Sequence, residues 1–164
     1  MITALKILLV LGTMGALDTF YYHEWKLRLP ETPSAGRELW LHAARDFAYA
    51  IVFGSLAWTT WNGALIWPFA GILLFEIVVT LTDFIEEDRT RRLPPGERVM
   101  HAIMGITYGL FLAMFYPHAA QWQRLGTGFG MADYGLLSWV LTFFAAGVLT
   151  SGIRDLRATR KLAR

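Results

Sequence analysis

The amino-acid sequence predicts an all-α, polytopic integral membrane protein with about five transmembrane helices in a single domain, residues 1–164. Hydrophobic residues make up 55% of the chain and aromatic residues 15%, which is untypical of a soluble domain. The apolar residues fall into five stretches, and each approaches the roughly 20 residues that a membrane-spanning helix needs. Prolines, glycines and charged residues separate these stretches, so each is predicted to form its own helix.

The first two predicted helices cover residues 2–29 and 37–61. Lys6 precedes the first apolar run, as in a secretory signal, but no small-x-small cleavage site stands before Asp18. We therefore expect the first segment to be a membrane span. Trp40 and Trp58 bracket the second helix and are expected to lie at the two membrane interfaces.

Three further helices are predicted over residues 65–92, 96–116 and 131–156. Pro94 and Pro95 separate the third helix from the fourth, and Pro117 is expected to end the fourth. A glycine-rich connection over residues 126–130 precedes the fifth helix. We expect helices one to four to form an antiparallel bundle that encloses a polar layer, with helix five packed outside it.

The distribution of basic residues predicts the orientation. Cytoplasmic loops carry an excess of Lys and Arg, and here these residues cluster around the first and third loops and in the tail. The protein is therefore predicted to lie in the inner or plasma membrane with its amino terminus outside and its carboxyl terminus cytoplasmic. The basic tail is expected to contact anionic membrane lipids, and nucleic acid is not implied. The chain has no cysteine, which excludes disulfides and thiolate metal ligands.

Ionisable residues recur at helical spacing on four of the five predicted helices, towards the same side of the membrane. Steps of three and four residues place them along one face of each helix, except that His23 lies on a different azimuth from Asp18. With a rise of about 1.5 Å per residue, His23, His42, Asp83 and His101 fall at one depth, roughly 10 Å from the cytoplasmic end. Asp18 and Asp46 lie about a turn deeper by the same count, and Glu76 is deepest.

These residue types indicate a metal site. Imidazole and carboxylate together suit iron, manganese or zinc, and helical bundles hold di-iron centres with such ligands. The di-iron bundles use Glu-x-x-His, whereas this chain has Glu97 four residues before His101, so only the architecture is transferred. The predicted metal ligands are Asp18, His23, His42, Asp46, Asp83, Glu87, Glu97 and His101. The predicted catalytic groups are Glu76, beside or within the metal site, and Tyr49 and Tyr108 as proton relays.

The function favoured by this pattern is a metal-dependent, di-iron-like membrane oxidoreductase. Its substrate would be lipid-soluble and would enter sideways from the bilayer to a site near the cytoplasmic interface. Iron is the favoured divalent metal, and a redox partner protein or a homo-oligomer are the expected partners. A zinc hydrolase at the same ligands is the second choice among enzymes.

Two alternatives belong to other functional classes. Structural ion pairs in a non-enzymatic transporter, proton path or accessory subunit would also place acids inside a bundle, with Glu76 paired to Arg45 and with Glu86, Asp88 and His118 at the surface. Beyond Glu76 the third helix is apolar, which favours a closed site over a through-pore. In the other alternative, a b-type haem, His42 and His101 would be the axial ligands.

Residues 83–94 carry a short likeness to a known family. The run of acids followed by Arg-Thr and Pro resembles the aspartate-rich segment of intramembrane prenyltransferases. The resemblance implies magnesium held by the acids and a diphosphate met by the basic residues. The second aspartate-rich motif of that family is missing and its members have more helices, so we carry no residue role over.

Overall fold

Residues 1–162, which the computed structural model describes, form five long α-helices and one pair of short strands. Helix α1 covers Ile2–Asp18, α2 covers Gly36–Trp58, α3 covers Ile66–Thr90, α4 covers Pro95–Gln123 and α5 covers Leu136–Leu162. Four of these segments, all but α2, are long and apolar enough to cross a membrane. The predicted all-α fold is confirmed, and four of the five predicted spans have the length and apolar content of membrane-spanning helices.

The chain after α1 differs from the single long helix that the sequence predicted. Thr19–Lys26 continues α1 as a π-helix, and two short 3₁₀ turns, Leu29–Glu31 and Pro33–Ala35, lead into α2. Arg28 has a positive φ of 48°, which ends the helical path. The residue before a proline is pushed away from helical conformation, so Pro30 also favours a break here.

The strand pair was not predicted. Strand β1, Thr59–Asn62, follows α2 and pairs antiparallel with strand β2, Gly128–Met131, with Trp61 opposite Phe129. Threonine and tryptophan suit such a pleated surface, and Gly130 leaves room for the Thr60 side chain. Because β2 uses the end of the glycine-rich connection, α5 begins at Leu136 instead of residue 131 and extends to Leu162.

Helix α4 runs through Pro117, where the sequence analysis placed its end. Proline lacks the N–H that would bond to the carbonyl of residue 113, yet α4 continues to Gln123. Prolines are tolerated in membrane helices where neighbouring groups satisfy the freed backbone. The seven added residues, 117–123, bring His118 into contact with the amino group of Met1, at the start of the antiparallel α1.

The helices pack in a defined order. Helix α1 lies against α4, and α2 lies between α3 and α5. Buried aromatic and aliphatic side chains, including Phe53, Phe69 and Phe111, fill the half of the bundle nearest the strand pair. At that end Ser138 of α5 donates a hydrogen bond to the carbonyl of Ala57 at 2.6 Å, and Trp58 Nε1 donates to Thr142 at 2.8 Å. The opposite half of the bundle holds the buried ionisable residues.

Gly63→Ala tests the connection between β1 and α3. Gly63 has a φ of 59°, and a Cβ atom there would meet the backbone of Thr127 at 2.7 Å. We expect the substitution to lower the free energy of unfolding by about 1–2 kcal/mol or more, because L-residues are disfavoured at this φ. Thermal unfolding in detergent measures it. Gly126→Ala is the matched control, since nothing lies within 4 Å of its added Cβ; equal effects of the two changes would contradict this account.

Candidate metal centre

Eight buried ionisable side chains lie together in the half of the bundle away from the strand pair. Each of the first four helices contributes two of them, counting the π-helical segment with α1, and none is more than 5% exposed. They lie near the ends of the first and third helices and near the starts of the second and fourth, which meet at the same end of the bundle. The eight are Asp18, His23, Glu38, His42, Asp83, Glu87, Glu97 and His101.

The π-helical segment explains how His23 joins Asp18. In an α-helix, residues five apart point about 140° away from each other, which is why the sequence placed His23 on another azimuth. A π-helix has i to i+5 hydrogen bonds, so residues five apart lie on one side. The structure accordingly has His23 Nε2 3.5 Å from Asp18 Oδ2.

The donor atoms of this cluster form two groups that could each hold a metal ion. The first contains His23, Glu87, Glu97 and His101, and the second contains Glu38, His42 and Glu87. Within each group, one donor atom from every residue lies within 4.8 Å of the others. Glu87 belongs to both groups, so its carboxylate is placed where two neighbouring ions would share it.

Two carboxylates outside these groups hold the imidazoles. Asp18 Oδ2 lies 3.1 Å from His101 Nε2, and it also faces His23. Asp83 Oδ2 lies 3.1 Å from His42 Nε2. Carboxylates that contact the second nitrogen of a ligating histidine fix the orientation of its ring. Asp18 and Asp83, both predicted as ligands, are therefore positioned as supports for the histidines.

Two arginines enter the cluster. Arg91, just after α3, contacts Glu38 at 2.8 Å, Glu97 at 2.7 Å and Glu87 at 3.3 Å. Burial lowers the pKa of its guanidinium, but hydrogen bonds to Glu97 and Glu38 outweigh burial and hold that pKa above its usual value. Arg45 Nη1 lies 3.1 Å from Asp83 Oδ2. It does not make the pair with Glu76 that the ion-pair alternative expected.

The two arginines alone do not balance the charges of the acids in the cluster. Five carboxylates face two guanidinium groups, so three negative charges remain, and either protonation of the three imidazoles or a bound cation would balance them. Several buried polar atoms also find no partner with hydrogen-bond geometry among residues 1–162: Asp18 Oδ1, His23 Nε2, Asp83 Oδ1, Glu87 Oε2, His101 Nδ1 and both ring nitrogens of His42, whose Nε2 is close to Asp83 but not aligned with it. Buried charges without partners are costly. The residues present therefore fit a bound cation with several nitrogen and oxygen ligands.

Asp46 lies outside both groups, although the sequence analysis named it as a ligand. It is half-buried, and its Cβ is 3.0 Å from the position that a Cβ on Gly152 of α5 would take. It stands beside Ser151 and Asp155, so it faces α5 and not the bundle interior. The periodicity of α2 placed it on the face of Glu38 and His42, but the small residue Gly152 lets α5 approach that edge of the helix closely.

The three predicted catalytic groups form a separate cluster deeper in the bundle. Glu76 is buried and accepts a hydrogen bond from Thr80 Oγ1 at 2.8 Å, while its Oε2 finds no partner in the described residues. Tyr49 and Tyr108 lie beside it, with ring centroids 6.3 Å apart and rings perpendicular. The Tyr108 hydroxyl donates to the carbonyl of Leu73 at 3.2 Å. These groups are not members of either donor group.

Sequence reasoning left out two residues of the site. Glu38 lies one helical turn before His42, and Arg91 lies one turn after Glu87, so the four-residue spacing carried a signal for both. The periodicity placed Glu38 on the face of His42 without naming it as a ligand, and Arg91 was assigned to a solvated helix end, where charged residues are common. The comparisons with known proteins supply no further guidance: no family model, no curated protein and no solved structure matches this chain.

Arg45→Gln tests the pair at Asp83. We expect a loss of about 3 kcal/mol in the free energy of unfolding, because removing one partner leaves a buried charge behind. Combining it with Asp83→Asn is expected to cost less than the sum of the two single changes, measured by thermal unfolding in detergent. Arg98→Gln is the control, since its pair with Asp88 is exposed and is worth about 1 kcal/mol at most. Strictly additive losses would show that the two side chains are not coupled.

Proposed function

We propose that this protein is a metal-dependent membrane oxidoreductase with a dinuclear centre. The observation that carries the proposal is the pair of donor groups that share Glu87. The two groups together offer three imidazoles and three glutamates, all buried, from four different helices. Bundles that hold two iron or manganese ions draw the same ligand types from four helices.

The ligand chemistry favours iron or manganese. All candidate donors are nitrogen or oxygen, which suits iron, manganese and zinc, and two such ions next to each other fit a carboxylate that bridges them. Iron or manganese would supply one-electron redox chemistry when bound. His23, Glu97 and His101 would hold one ion, Glu38 and His42 the other, and Glu87 both. Asp18 and Asp83 would orient the imidazoles.

The deeper cluster would serve proton transfer. Glu76 is buried, has one oxygen without a partner and stands beside two tyrosine hydroxyls. A carboxylate and phenols in contact can pass a proton between them. Arg45 lies on α2 between His42 and Tyr49, so its side chain separates the two clusters along that helix. In this proposal Glu76, Tyr49 and Tyr108 carry protons to or from the substrate.

The substrate is proposed to be lipid-soluble and to arrive sideways. An apolar groove of about 370 Å³ lies between α2 and α3, lined by residues that include Ala48, Ile72 and Phe75. Tyr49 and Glu76 are the chain neighbours of Ala48 and Phe75, so the deeper end of the groove lies at the depth of Glu76, although neither Tyr49 nor Glu76 lines it. With the predicted orientation, the two donor groups lie in the cytoplasmic half of the membrane. A soluble redox partner would reach them from the cytoplasm.

A non-enzymatic ion-pair network is the second candidate. Arg91 already contacts three of the carboxylates, and Arg45 contacts a fourth. Glu86, expected at the surface, is buried and lies 3.5 Å from Arg37. Arginine pairs of this kind occur in membrane proteins that bind no metal. The two candidates differ in whether purified protein contains metal.

Metal content of detergent-purified protein separates them. We expect about two iron or manganese ions per chain, as in bundle proteins with a shared carboxylate. Glu87→Gln is expected to lose both ions, and His42→Ala and His101→Ala to lose at least one each, because each removes a donor from one group or both. Elemental analysis with an absorption spectrum measures this. His118→Ala is the matched control, since that imidazole lies at the other end of α4.

The other possible outcomes of the metal analysis each point to a different function. A single zinc ion per chain would replace the oxidoreductase with a zinc hydrolase, and a Soret band would replace the dinuclear centre with haem. Protein without metal or pigment, whose variants lose only stability, would leave the ion-pair network as the explanation.

Redox activity is tested on the metal-loaded protein. If the ions are iron, we expect the absorption and electron paramagnetic resonance spectra to change on addition of a reductant and to return on exposure to oxygen. Glu87→Gln should abolish this response. A metal-loaded wild type that does not respond to either treatment would contradict the oxidoreductase assignment and leave the metal site intact.

A further inference from the structure

We propose that Glu38, His42 and Glu87 form an exchangeable second metal subsite, and that the Arg91 guanidinium is the cation that occupies its carboxylates until the metal ion binds. The proposal rests on the dinuclear centre proposed above. It assigns to Arg91 the role of a competing cation that controls loading of the second ion.

The contacts of Arg91 support this role. Its guanidinium reaches both oxygens of Glu38, at 2.8 and 3.3 Å, and Glu87 Oε1 at 3.3 Å. These are the two carboxylates of the second group. A metal ion bound there would use the same oxygens, so the ion and the guanidinium exclude each other by position and by charge.

Arg91 occupies a smaller share of the metal-binding donor atoms in the first group than in the second. The two imidazoles of the first group, His23 and His101, make no contact with the guanidinium, and Glu87 Oε2 faces His101 Nδ1 at 3.4 Å. Arg91 contacts both oxygens of Glu97, at 2.7 and 3.0 Å, and only Oε1 of Glu87, which leaves the two imidazoles and Glu87 Oε2 free of the guanidinium. In the second group only His42 is free. We therefore expect one ion to bind tightly with Arg91 in place and the second to bind only when Arg91 moves.

Arg91 stands where it can move. It is the first residue after α3, its backbone is extended, and residues 92–94 separate it from the start of α4 at Pro95. Its side chain is 15% exposed, whereas the carboxylates that it contacts are at most 1% exposed. The guanidinium thus lies between the acids and the outside of the bundle. Its departure would open the subsite from that side.

Titration of metal-stripped protein with Mn²⁺ tests the proposal, with free Mn²⁺ counted by electron paramagnetic resonance. Wild type is expected to bind a first ion tightly and a second more weakly. In Arg91→Gln the second ion is expected to bind about tenfold more tightly or better, because a positive charge next to the subsite is removed. The matched control is Arg98→Gln, an exposed arginine at the same end of the bundle that contacts only Asp88.

The outcomes distinguish this inference from the proposed function. If wild type binds Mn²⁺ and Arg91→Gln binds the second ion no more tightly, Arg91 is not a competing cation, and the metal centre stands. If neither protein binds Mn²⁺, the metal centre itself is wrong, and the inference falls with it.

A measurement on wild type avoids any loss of folding in the variant. Phenylglyoxal modifies accessible arginines, and mass spectrometry reports the extent at each position. Modification of Arg91 is expected to rise as the second Mn²⁺ ion binds, while that of Arg98 stays constant. A constant or lower reactivity of Arg91 during the titration would overturn the proposal.

Discussion

Charge balance among five buried carboxylates is the constraint on which the rest of this structure depends. Asp18, Glu38, Asp83, Glu87 and Glu97 come from four helices and are at most 2% exposed. Carboxylates taken out of water need cations or proton donors nearby. Arg45, Arg91 and three imidazoles meet part of this need. The first four helices therefore converge in the half of the bundle away from the strand pair, where these carboxylates meet their basic neighbours.

This requirement divides the bundle into two unlike halves. Near the strand pair, apolar side chains such as Phe53, Phe69 and Phe111 fill the interior without polar partners. At the other end the same helices present charged groups inwards and apolar ones outwards. Helix α2 shows the consequence most clearly: it carries Glu38, His42 and Arg45, and it is the long helix that falls short of the apolar content of a typical membrane span. It lies between α3 and α5, which shield it.

Much of the site could be predicted because α-helical spacing is regular. Steps of three and four residues led to His42, Glu87, Glu97 and His101. Depth counting placed His42 and His101 in one layer with His23 and Asp83, and it placed Glu87 and Glu97 nearer the loop. The predictions failed where the spacing changes: the π-helical segment turned His23 towards Asp18, a change that no local pattern in the sequence marks. Asp46 and the strand pair depend on how distant segments meet, and periodicity carries no information about that.

The shared position of Glu87 is the feature that favours a metal centre over an ion-pair network. Each of the five acids has a basic neighbour, but among the described residues Asp18 has only imidazoles, and one guanidinium, Arg91, serves three of the other acids. The side of Glu87 that Arg91 does not reach faces His101 at 3.4 Å, and that oxygen has no hydrogen-bond partner in the described residues. A second arginine there would have satisfied it. Two imidazoles and a free carboxylate oxygen stand in that place instead, and these are the ligands that a divalent metal ion takes.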